Sequence, residues 1–228
     1  MSPQRRAMRD EQKAERRQAL IDAAWARFEQ MPYDAINVID VARDAGLAKG
    51  TLYLYFKTKE ALFLAVALDR FAAWFDVVDA ALPGARGVDA VVALISDTLA
   101  ERPGLTRLFA ILHIILERNI DSETALAFKQ ALRERLAHTA ALLEAALPFL
   151  AQPDGAGSGG AQALLHTYAL VIGIQHLAEQ SPVVADVLAA HAELALFRVT
   201  FRAAFADALR ALLRGLQADA TGWPVGNS

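Results

Sequence analysis

The chain has 228 residues, no cysteine, a formal net charge of −3, 55% apolar residues and a mean hydropathy of +0.26. This composition excludes a disulfide framework, a thiolate metal site and a natively disordered chain. The length suits one large domain, or a small one joined to a larger one, and the absence of cysteine fits a reducing cytoplasm.

The N-terminal stretch MSPQRRAMRDEQKAERRQ is charged and has no apolar core of the kind a secretory signal needs. The longest apolar runs, LFAILHIIL (108–116) and YALVIGI (168–174), are far too short to span a bilayer and predict buried helices, so no membrane partner is expected. Charge is uneven. Residues 1–60 hold 11 Lys/Arg against 9 Asp/Glu, and residues 61–228 hold 12 against 17. A basic head on an acidic body is the distribution expected if only the head meets a polyanion.

Helical periodicity dominates and strand alternation is absent, so the chain reads as all-α. Residues 1–12 read as a basic flexible arm, either a solvated tail or an arm that reaches DNA with Arg5, Arg6 and Arg9. A first helix is expected from Lys13 to Gln30, with Leu20, Ala24, Trp25 and Phe28 on one face. Asn37 is a good N-cap for a second helix, whose inward stripe is Val38, Val41, Ala42 and Ala45 and which Gly46 terminates. A third spans Lys49 to Phe56, and KTKEAL opens a long fourth reaching about Leu82. Further helices are expected at 88–101, 104–118 and 122–147. After a flexible loop at 148–160, two long apolar helices follow at about 161–179 and 192–217, and then a loose tail. No internal repeat is visible.

The second and third helices are joined by the short link Ala45-Gly46-Leu47-Ala48. Small Ala42, turn-forming Gly46 and apolar Leu52 suit two short helices crossing steeply, which is helix-turn-helix geometry. Leu52 and Phe56 are four apart and must face inward, leaving Lys49, Thr51, Tyr53 and Tyr55 outward. Exposed tyrosines make physical sense against a phosphodiester backbone, where the hydroxyl donates to phosphate and the ring packs on sugar or a thymine methyl. Gly50 lets the backbone approach the groove, and Lys57 and Lys59 add positive charge.

The segment INVIDVARDAGLAKGTLYLYFKTKEALFLAV (36–66), and KGTLYLYF…KEAL within it most specifically, resembles the DNA-binding segment of TetR-family transcriptional regulators, over roughly residues 13–66. The resemblance implies an N-terminal three-helix DNA-binding domain (13–60) and a larger helical domain (61–228) that dimerises and often binds a small effector. It places Thr51, Tyr53, Tyr55 and Lys59 at phosphate-contacting positions, Lys49 and Gly50 near base edges, and Arg43 facing the backbone. There are three departures from the family pattern. Met31-Pro32 replaces a lead-in glycine, and Ile36-Asn37 replaces a threonine pair, with Asn37 still able to cap. Ala48 stands where a serine is usual, removing a cap commonly worth ~1 kcal/mol.

Polar residues threaded through the apolar helices have three possible partners: one another, a second subunit, or a ligand. Candidate effector-pocket residues are Trp74, His113, Glu117, Asn119, Tyr168, Gln175 and His176, with an aromatic core as the alternative for Trp74. His113 and Glu117 share an i, i+4 spacing that can ligate a metal, but no third ligand is visible, and no nucleophile elbow supports hydrolysis. Neither a cofactor, a metal nor an enzymatic activity is expected. Since one helix-turn-helix reads only a few base pairs, the expected partners are double-stranded palindromic DNA, a second copy of the chain paired through the last two long helices, and a small, mainly apolar effector. The expected function is a cytoplasmic repressor released by that effector. The alternative is a dimeric DNA-binding regulator whose body serves only dimerisation or protein contact.

Overall fold

The computed structural model describes residues 3–112, 117–151 and 158–220, with side chains from Met8 onward. Among the described residues there is no strand. The α-helices are α1 (Pro3–Gln30), α2 (Val38–Asp44), α3 (Lys49–Tyr55), α4 (Lys59–Ala81), α5 (Val88–Ala100), α6 (Pro103–Ile111), α7 (Ser122–Ala146), α8 (Gly159–Ala178), α9 (Pro182–Ala190) and α10 (Phe201–Ala220). The chain divides into two compact units, residues 1–70 with 111–130, and residues 71–110 with 131–228.

In the first unit the inward stripes meet around Phe63. Leu20, Ile21, Ala24 and Phe28 of α1 are buried, as are Val41 and Ala42 of α2, Leu52 of α3, and Leu62, Phe63 and Val66 of α4. Phe28 and Tyr33 both meet Phe63 edge-on, at centroid distances of 5.8 and 5.0 Å. Polar links join the same helices: Gln18 donates to Asp69, and Arg70 pairs with Asp22 while lying over the Trp25 ring. Helix α1 starts at Pro3, ten residues before the expected Lys13, so residues 3–12 are helical rather than a flexible arm. Proline fits that start, because its missing N–H is one of the donors a first turn leaves unused.

In the second unit α10 packs against α5 and α8. Phe205, Leu209 and Leu213 of α10 are buried, together with Val91, Val92, Ile95 and Leu99 of α5 and Ala163, Leu164, Thr167 and Val171 of α8. Arg202 and Arg210 of α10 reach Asp97 and Asp89 of α5.

Two expectations for this unit are corrected. The stretch 192–217 is not one helix. A 3₁₀ segment, Ala192–Phe197, precedes α10, and α9 is an additional helix capped by Ser181 with Pro182 in its first turn. Arg198 ties the segment after α9 back to it: its guanidinium donates to the carbonyls of Leu188 and His191, the latter also accepting from the Leu194 N–H. Of the loop expected at 148–160, residues 152–157 lie outside the described residues, and its flanks are in regular structure. Pro148–Leu150 is a 3₁₀ turn, and Ser158 caps α8 by accepting from the Ala161 N–H. The tail from residue 221 also lies outside the described residues.

Candidate nucleic-acid interface

Local chemistry fixes the start and the end of α2. The Asn37 side chain accepts from the Ile39 N–H at 2.9 Å. At the other end Gly46 takes φ +69, its N–H bonds to the Arg43 carbonyl, and the Leu47 N–H bonds to the Ala42 carbonyl at 2.8 Å. This six-to-one, five-to-two pair is the Schellman ending that a left-handed glycine permits. Ala42 and Leu52, each 1% exposed, pack α2 onto α3. Helix α3 begins after Ala48, which makes no side-chain capping bond.

With Leu52 and Phe56 buried, α3 turns Lys49, Gly50, Tyr53 and Leu54 outward and leaves Thr51 and Tyr55 half-buried. Tyr53 is 45% exposed, with the Lys49 ammonium 6.0 Å above its ring. A Cβ at Gly50 would meet nothing within 4 Å. Packing within the chain therefore does not require glycine there. Leu54 is 83% exposed and does not figure among the residues singled out from the sequence. Its signal was present: two positions from each of the inward residues Leu52 and Phe56, it falls on the opposite face.

Beside α3 lies an open groove of about 540 Å³ whose lining includes Asn37, Val38, Tyr53, Lys57, Thr58 and Lys59. The structure thus brings Asn37, Tyr53 and Lys59 together at one cleft. The cations there are differently committed. The Lys59 ammonium donates to the Tyr33 carbonyl and sits 4.0 Å over the Tyr33 ring, and burial lowers its pKa. The Tyr33 hydroxyl is pushed up, first by burial and then by Glu60. Lys57 is exposed and pairs with Asp121 at 2.9 Å. Arg43 is exposed and pairs with Asp40 at 2.8 Å on its own helix, while Arg27 holds Asp44.

This geometry coincides with two family matches. The model for bacterial regulatory proteins of the tetR family matches residues 20–66, and the tetracyclin repressor-like C-terminal domain matches residues 68–220. The chain belongs to the TetR family. It is a DNA-binding transcriptional regulator, with α2 and α3 as its helix-turn-helix.

Solved TetR structures share this fold at low identity. A candidate TetR-family transcriptional regulator from Mesorhizobium loti is 20% identical, with 87% of this chain and 96% of that one covered and a TM-score of 0.52. FadR, a fatty acid degradation regulator from Bacillus halodurans, is 18% identical, with 93% and 97% covered and a TM-score of 0.51. No curated protein matches the chain.

The candidate effector residues of this TetR chain fall at several places. Trp74 and Tyr168 meet on Phe109, at centroid distances of 6.0 and 5.4 Å, and Phe71 stacks on the same ring at 4.3 Å. The Trp74 indole N–H donates to Thr98. Gln175 is instead buried at the wall of a separate cleft of about 350 Å³, mainly apolar, with Leu99, Pro103, Phe201, Arg107 and Arg202 around it. His176 is exposed on α8. Glu117 and Asn119 belong to the other unit, where Glu117 pairs with Lys129 and Asn119 is exposed. His113 lies outside the described residues. Among the described residues no group of three or more His, Asp or Glu side chains could hold a metal, and no helix is long and apolar enough to cross a membrane.

Proposed function

We propose that this regulator is a homodimeric repressor that leaves its operator when a small, mainly apolar molecule enters the C-terminal unit. The observation that carries the effector is the cleft at Gln175. Its buried amide bonds to Glu179, Arg107 and Arg202 add guanidinium groups (that of Arg202 paired with Asp97), and the wall of Leu99, Pro103 and Phe201 is apolar, a lining that suits a molecule with an apolar body and one polar end. A ligand that fits only one arrangement of α5, α6, α8 and α10 shifts the population between DNA-competent and released states.

Dimerisation is supported by α8, which exposes Leu165, Ala169, Gly173 and Leu177 at successive four-residue steps. A Cβ at Gly173 meets nothing within 4 Å, so the close approach of another helix is the reason for a glycine there. Two recognition helices one helical turn of DNA apart then read a palindrome.

The second reading, a body without an effector, draws on Trp74 and Tyr168. Both polar ends are satisfied internally, the indole N–H by Thr98 and the phenol by the Phe109 carbonyl. The test is a mobility shift on the DNA flanking the protein's own gene, with and without a panel of apolar carboxylic acids. Binding lost in Tyr53→Ala and relieved by a panel member supports the proposal. Binding that no panel member relieves, with no thermal stabilisation by any of them, favours the second reading. Sedimentation of Gly173→Glu reports the interface: a monomer is expected, and an unchanged dimer removes α8 from it.

A further inference from the structure

We infer that the face of α1 carrying Arg9, Lys13 and Arg16 is a second DNA contact, laid along the phosphate backbone beside the segment that α3 reads. This rests on α3 being the recognition helix. Helix α1 enters the core only at Leu20, and its residues from Met8 to Gln18 are all exposed. Its first described turns bury no side chain and touch the rest of the unit mainly through polar and charged groups, such as Gln18 on Asp69, so they present a charged surface to solvent.

The charge on those turns is segregated. Arg9, Lys13 and Arg16 follow the i, i+4, i+7 spacing of one face, while Glu11 and Glu15 fall at roughly 200° and 240° from Arg9, on the opposite side. The cationic face borders the recognition helix. Arg9, Gln12, Lys13 and Arg16 line one open groove of about 460 Å³ together with Leu54 and Tyr55 of α3, and Asp10 is the single acid there. Farther along, Arg17 lies 5.3 Å over the Phe56 ring and ties α1 to the end of α3. The three cations rise along the axis by about 6 and 4.5 Å, a spacing that long side chains spread over neighbouring phosphates of one strand. A polyanion that already touches Tyr55 therefore passes this face, and the groove's exposed Leu54 can pack on its sugars.

The experiment measures binding of the full chain to a 40-base-pair random-sequence duplex by fluorescence anisotropy over a salt series. The variant combines Arg9→Gln, Lys13→Gln and Arg16→Gln, which keeps helix-forming residues, and circular dichroism verifies its helix content. Each phosphate neutralised contributes a slope of about −0.9 in log K against log salt, so the variant's slope is expected to be shallower by about 2 to 3 per protomer. Equal slope and affinity in wild type and variant overturn the inference while leaving α3 in place. No binding by wild type overturns both readings. Vesicles containing phosphatidylserine supply a further arm. Loss of vesicle binding in the variant with unchanged DNA binding assigns the face to an anionic surface and overturns the DNA contact.

Discussion

Lys57 and Asp121 are 64 residues apart, yet their charged atoms lie 2.9 Å from one another. The lysine follows the recognition helix, and the aspartate caps α7 by accepting from the Thr124 N–H. A cation beside the helix-turn-helix is thus occupied by a carboxylate, which would compete with any phosphate reaching it. The hydrogen bond from Lys57 holds the Asp121 carboxyl well below the usual carboxylate range, and the same bond raises Lys57. Asp121→Asn keeps a capping side chain and releases Lys57. DNA affinity is expected to rise about threefold at low salt, with a steeper salt slope. The depressed carboxyl contributes stability above its unfolded value and loses it only as pH falls through its folded value. The difference between variant and wild type should therefore stay constant from about pH 5 to 8. Anisotropy titrations check both, and identical affinities would remove the competition.

Lys59 makes a different prediction from the one its family position implies. Its ammonium is committed to the Tyr33 carbonyl and ring. Lys59→Met is expected to cost about 1 kcal/mol in urea unfolding, through the lost donor and the cation–π contact. The salt slope of DNA binding should not change. Burial lowers the lysine's pKa in the folded state, so its contribution to stability increases as pH rises from the folded value toward the ordinary lysine value. A shallower salt slope in Lys59→Met would restore the phosphate contact.

Two glycines separate packing from function. A Cβ on Gly160 would press on the Ala140 carbonyl, where α8 begins against α7, while the Gly160 N–H bonds to Glu144. Gly160→Ala is expected to destabilise by about 1–3 kcal/mol. At Gly50 the Cβ has open space, so Gly50→Ala should leave stability equal or slightly higher. Its DNA binding should nonetheless weaken, because the methyl group stands where the groove approaches. Thermal melts beside mobility shifts distinguish the two, and undiminished binding by Gly50→Ala refutes the close approach.

Ala48→Ser supplies the hydroxyl that the start of α3 lacks. A stabilisation of about 0.5–1.5 kcal/mol is expected, with slower hydrogen exchange at the first amides of α3 in the absence of DNA. Unaltered exchange there would mean that packing, rather than capping, already fixes the helix start.

What the sequence revealed is what neighbouring residues decide among themselves. The Asn37 cap, the Gly46 stop and the inward pair Leu52 and Phe56 each depend on residues within a few positions, and each stands in the structure. The commitments of Lys57 and Lys59 depend on partners 64 and 26 residues away, which no local spacing encodes. Helix α9 shows no inward stripe in sequence, since Val183, Val184 and Val187 stay exposed and Leu188 is its one buried residue, and the tie of Arg198 back to the Leu188 carbonyl joins residues ten apart. The N-terminal turns of α1 have no apolar face, so sequence alone predicts an arm there. In the structure they continue a helix whose core contacts begin at Leu20.

Gly46 carries one more consequence. Its φ of +69 excludes ordinary side chains, yet a Cβ built there touches nothing within 4 Å. The restriction is therefore one of handedness and not of room. A mirror-image alanine, installed by semisynthesis, would accept this torsion without strain and would narrow the unfolded chain's choices. The turn between the two helices is thus a chiral filter: it disfavours L-alanine by about 1–2 kcal/mol while its torsion suits the enantiomer.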